Sequence, residues 1–171
     1  MQKLSKKIII GIIIILIIMA IILLLYFRNN SSNILFKSSY TNHAWGYANY
    51  GYIIYSNGII QQYDHSNEKR IENPKKDKIT KEELNQLKKL SNKVEDKYEN
   101  DNSGIPPMND GGISEKAIYS SRLSKFVILS RSGDSLGKNA TDTSKEILEL
   151  TEKLYNKYLN EEKINWLELR N

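Results

Sequence analysis

Apolar residues are spaced in three different ways along the chain, and each spacing predicts a different kind of element. From Ile8 to Phe27 they are continuous: twenty residues without a charge, eleven of them isoleucine. At a rise of about 1.5 Å per residue this matches a bilayer core of about 30 Å, so the block predicts one transmembrane helix, apolar on every face. A cleavable signal peptide would pair an apolar region of about 7 to 15 residues with a small-x-small site. The stretch from Leu23 to Arg28 has no such site, and Ser31-Ser32 is only a weak one further on, so an uncleaved anchor is expected.

Beyond a polar tether, residues 28–33, the apolar positions alternate or cluster in short runs. Ile34 to Ser39 predicts a first strand and Ala44 to Tyr55 a second, with a bulge or bend expected at Gly46 or Gly51. Asn57-Gly58 then separates two β-favouring runs, which predicts a hairpin with a two-residue type I′ turn. That turn pairs Tyr55 with Ile60 and Tyr52 with Tyr63. It would place Ile53, Tyr55 and Ile60 on one face and Tyr52, Ile54, Ile59 and Tyr63 on the other. Both faces are partly apolar, so neither is expected to be bare.

Helical spacing follows a charged connector containing Pro74. Thr80 and Glu83 form a capping box ahead of Leu84, Leu87, Leu90, Val94 and Tyr98, which predicts a helix from Thr80 to about Glu99. Asn100 to Gly112 reads as a loop. Glu115 to Ser121 and Lys125 to Ser130 read as a second hairpin, and Arg131 to Asp142 as another loop. Thr143 and Glu146 suggest a second capping box, opening a helix that ends near Asn160. Ile164, Trp166, Leu167 and Leu169 are too apolar for a free tail and are expected to dock on the domain.

The order βββ-α-ββ-α predicts an α+β domain: an antiparallel sheet of about five strands with two helices on one face, behind one N-terminal transmembrane helix. The chain divides into a basic flank (1–7), an anchor (8–27), a tether (28–33) and a folded domain (34–171). The domain is too short for a large multidomain enzyme.

Three of the 25 basic residues precede the anchor and one, Arg28, follows it closely. The positive-inside bias therefore predicts a cytoplasmic N-terminus and an exported domain, with Tyr26 and Phe27 at the membrane interface. From Arg28 onward, 22 basic residues face 20 acidic ones and are interspersed with them, as in Glu68-Lys69-Arg70, so nucleic acid is not an expected partner. With no cysteine, neither disulfides nor a thioether-linked lipid can secure the domain. Heavy use of Ile, Lys and Asn suggests an AT-rich genome, and a cysteine-free exported domain fits a low-GC Gram-positive bacterium.

Candidate chemistry is sparse. Gly133-Asp134-Ser135-Leu136 resembles, over four residues, the signature of the GDSL esterases, but that serine requires a histidine base and no histidine follows Ser135. The two histidines, His43 and His65, lie in no metal-binding spacing, and the loop residues Asp101, Asn102, Asp110 and Asp134 match no EF-hand. P-loop and dinucleotide fingerprints are absent, and no cofactor or metal is expected. The most suggestive feature is aromatic: Trp45, Tyr47, Tyr50, Tyr52, Tyr55 and Tyr63 lie close together and could form a surface for a glycan, peptide or protein.

The sequence thus suggests a membrane-anchored, non-enzymatic binding module of a bacterial envelope, held to the membrane by its single-pass anchor and with an envelope protein or glycan as partner. A small hydrolase using His43 or His65 with a carboxylate is the alternative, and an immunity or inhibitor protein is a third reading.

Overall fold

A computed structural model describes residues 11–22, 33–43, 46–100, 112–133 and 136–160. The chain forms two compact units, Met1–Ser32 and Asn33–Asn171. In the first, residues 11–22 are helical (α1), and its isoleucines stay about half exposed, from 48% at Ile12 to 60% at Ile22. Among the described residues no helix is long and apolar enough to cross a membrane. Residues 8–10 and 23–27 of the apolar block lie outside the described residues.

The second unit is α+β. Its strands are β1 (Ile34–Asn42), β2 (Ala48–Tyr55), β3 (Ile59–Asp64), β4 (Lys76–Lys78), β5 (Tyr98–Asn100), β6 (Ile113–Ser120), β7 (Lys125–Ser132) and β8 (Gly137–Asn139). All belong to one antiparallel sheet in the order β4-β3-β2-β1-β6-β7-β8-β5. Among the described residues eight strands stand in place of the expected five or so. The three additional ones, β4, β5 and β8, are three residues each, too short and too polar for an alternating pattern. β4, one of the two edge strands, is exposed at all three positions and carries Lys76 and Lys78, a common guard against edge-to-edge pairing.

The β2–β3 hairpin forms at Asn57-Gly58, but its register differs by one residue from that of a two-residue turn. Ile54 faces Ile60, and Tyr52 faces Gln62. The Gly58 amide donates to the Tyr55 carbonyl at 2.9 Å, and Gly58 takes φ 87°. This is the three-residue loop, a turn followed by a left-handed glycine. The shift moves Ile60 onto the face of Tyr52 and Ile54 and puts Tyr63 on the opposite face. The expected bulge at Gly51 is also absent: its register continues from Ser39 through Gly51 to Tyr63. The glycine instead permits a close approach, since a Cβ there would lie 2.0 Å from the Ser38 carbonyl oxygen. The register shifts fall at Ile34/Phe36 and Lys116/Ala117.

Helix α2 (Lys81–Lys93) starts at the expected capping box, with both Thr80 and Glu83 bonds formed. It ends six residues before Glu99. Arg122 donates to the Asn92 and Val94 carbonyls at 2.9 and 2.7 Å, and Asn139 donates to the Glu95 carbonyl at 2.6 Å. These distant side chains satisfy the carbonyls that another helical turn would have used, and Tyr98 goes to β5 instead. Helix α3 (Asp142–Tyr158) is capped by Thr141, not Thr143. The Asn139 carboxamide accepts from the Thr141 hydroxyl at 2.8 Å and fixes the cap two residues earlier.

One core joins the helices to the sheet. Phe36, Ile54, Ile60, Ile118 and Val127 are fully buried beside Leu87 and Val94 of the α2 segment and Ile147 and Leu154 of α3. The apolar tail residues from Ile164 to Leu169 lie outside the described residues.

Candidate functional site

Strand pairing arranges the helix-bearing face of the sheet in rows. One row reads Ile60, Ile54, Phe36, Ile118, Val127, and is entirely apolar. The next reads Gln62, Tyr52, Ser38, Lys116, Ser130, and the third Asp64, Tyr50, Tyr40, Ser114, Ser132. Within two steps along each strand, toward the Asn42 end of β1, the same face turns from core to hydroxyl-rich surface. A cavity of about 500 Å³ lies at this change, lined by Ser38, Tyr40, Tyr50, Tyr52, Gln62 and Ser114 from the sheet and Tyr155 from α3, with Arg70 and Ile71 from the loop after β3.

Each wall has a structural cause. Tyr52 is held between Phe36 and Tyr155, with ring centroids at 5.6 and 4.8 Å, and its hydroxyl donates to the Thr151 carbonyl at 3.3 Å. Burial pushes its phenol well above the ordinary range, so it stays neutral. Tyr40 and Tyr50 face each other at 5.1 Å across the β1–β2 ladder.

Asp64 organises the remaining wall. Its carboxylate accepts from the backbone amides of Ser66, Arg70 and Ile71 at 2.9, 2.7 and 2.8 Å. Although desolvation opposes ionisation, these bonds outweigh it and hold the carboxyl far below its usual range. The loop is therefore folded back onto the sheet. Arg70 is brought over Tyr50, its guanidinium carbon 5.8 Å from the ring centroid.

The aromatic residues singled out in the sequence do not form one surface. Tyr50 and Tyr52 line the cavity. Tyr63 is buried on the opposite sheet face, where Lys37 lies 6.0 Å from its ring and burial raises its phenol, and the alternation of β2 puts Tyr55 on that face too. Tyr47 sits in the β1–β2 connection, 5.3 Å from His43 by ring centroid, and Trp45 lies outside the described residues. His65 stacks on Tyr63 at 5.5 Å. Neither histidine lines the cavity, and Asp64, the carboxylate next to His65, is committed to its own loop. Among the described residues no group of three or more His, Cys, Asp or Glu could hold a metal. Asp134, Ser135, Asp101, Asn102 and Asp110 lie outside the described residues.

Arg70, Ser38 and Ser114 had no distinguishing sequence signal. Glu68-Lys69-Arg70 has the look of solvated surface, and the one available hint was the turn-forming Asp64-His65-Ser66. No family model matches the chain, and no curated protein is significantly similar to it.

Proposed function

We propose that this chain is a single-pass membrane protein with its N-terminus in the cytoplasm, holding a non-catalytic binding domain on the outer face of a bacterial plasma membrane. The cavity between Tyr50 and Tyr155 is its recognition site. The anchor reading is supported by twenty uncharged residues behind a basic flank and by the half-exposed isoleucines of α1. Tethering concentrates such a domain on partners in the membrane or wall.

The observation that carries the binding reading is the cavity itself. About 500 Å³ lies within the range of about 300 to 1,000 Å³ usual for small-molecule sites. Its walls combine aromatic faces with convergent hydroxyls. The described residues lining it include serines but no histidine, aspartate or glutamate beside them to act as a base, which favours recognition over hydrolysis.

The test is a saccharide and peptide screen on the full chain in detergent micelles, read by ligand-observed NMR, with Ser38→Trp as the cavity-filling variant. Ligands should share one site and lose binding in Ser38→Trp at an unchanged melting temperature. Ligands indifferent to that substitution, or none at millimolar concentration, would contradict the reading.

A further inference from the structure

Resting on that reading, we infer that the cavity takes an anionic sugar: a hydroxylated ring whose charge, from a carboxylate or a phosphate ester, is bound by Arg70. Three features point to this class. The first is charge. Arg70 is the only charged residue among the described residues lining the cavity, and among the described residues its guanidinium makes no ion pair. Lys116, across from Ser38 on the same sheet face, adds positive charge nearby. Asp64, at the base of the Arg70 loop, is bonded to three backbone amides and not to the guanidinium.

The second feature is geometry. A guanidinium laid over an aromatic ring keeps its in-plane N–H donors for a second partner, and their fork matches the oxygen pair of a carboxylate or phosphate. Arg70 is set in this place by its own backbone amide, which donates to Asp64 at 2.7 Å, and by the ring of Tyr50. The loop is thus held before any ligand arrives, and less ordering is needed on binding.

The third feature is the remaining surface. Tyr40 and Tyr155, both partly exposed, offer aromatic surface for the C–H side of a sugar, while Ser38 and Ser114 offer hydroxyls for its polar edge. A purely apolar ligand would leave these hydroxyls without partners, and a cationic one would meet Arg70.

Isothermal titration of the full chain in detergent micelles at low salt tests this with glucuronate, glucose 6-phosphate and glucose. Both anionic sugars, or whichever carries the preferred anion, should bind at least about tenfold tighter than glucose, since a charge-assisted fork is worth that much or more. Arg70→Gln should remove the preference, and Arg70→Lys should keep part of it. Arg70 is exposed, so unchanged circular dichroism and melting temperature are expected in both variants. Equal binding of glucose, undiminished anion binding in Arg70→Gln, or no binding of either anion would overturn the inference. Ser38→Trp separates the two levels: if a neutral ligand is still lost in that variant, the cavity remains a binding site and only the ligand class falls; if no ligand responds to it, both fall.

Discussion

With φ at 87° and its amide bonded to Tyr55, Gly58 occupies the left-handed position that closes the central hairpin. Ile60 therefore lies opposite Ile54, and Gln62 beside Tyr52 at the edge of the cavity. A Cβ at Gly58 would have room, since its nearest neighbour is a Leu84 methyl at 3.4 Å. The cost of Gly58→Ala is thus backbone strain, about 1–2 kcal/mol by chemical denaturation. A two-residue type I′ turn would instead also require positive φ at Asn57, and among the described residues Ser124 is the one non-glycine residue there. The turn residues were thus legible in the sequence, but the loop length was not, because Asn-Gly serves both two- and three-residue loops.

At the scale of elements, Glu83 shows how much of a helix is local and how much is not. Its capping bond to the Thr80 amide, 2.9 Å, was legible from the spacing of the two residues. Its bonds from Lys157 and Tyr158 of α3, at 2.8 and 2.7 Å, were not. Burial pushes this carboxyl up, but these partners outweigh it and bring it down from 4.5 to about 2. A depressed carboxyl stabilises the fold fully above its unfolded value and loses that contribution as pH falls. Glu83→Gln should therefore cost about 1–2 kcal/mol at pH 7, and the gap from the wild type should close between pH 4.5 and 2 in acid-unfolding curves. Helix starts were read correctly where the cap and its partner are neighbours, as at Thr80. They were misread where Asn139 selects Thr141, and the end of α2 depends on Arg122 and Asn139, which are far beyond its last turn in the sequence. The cavity was legible only through Tyr50 and Tyr52; Ser38, Ser114 and Arg70 become its walls through pairing across β3, β2, β1 and β6 and through the Asp64 loop, which no local pattern records.

For the whole molecule, composition and charge carry the argument for an anchor, and strand pairing carries the argument for a site. The two meet in one proposal, a tethered receptor for anionic sugars, which requires the folded unit to face the outside of the cell. The absence of cysteine makes that requirement directly measurable, because any introduced thiol is unique. Single-cysteine chains Ser5→Cys and His65→Cys would be expressed in bacteria and exposed to a membrane-impermeant maleimide before and after lysis. His65 is exposed at the end of β3, away from the cavity walls. The account predicts labelling of the His65→Cys chain on intact cells and of the Ser5→Cys chain only after lysis. Labelling of the His65→Cys chain only after lysis, or of the Ser5→Cys chain on intact cells, would contradict it.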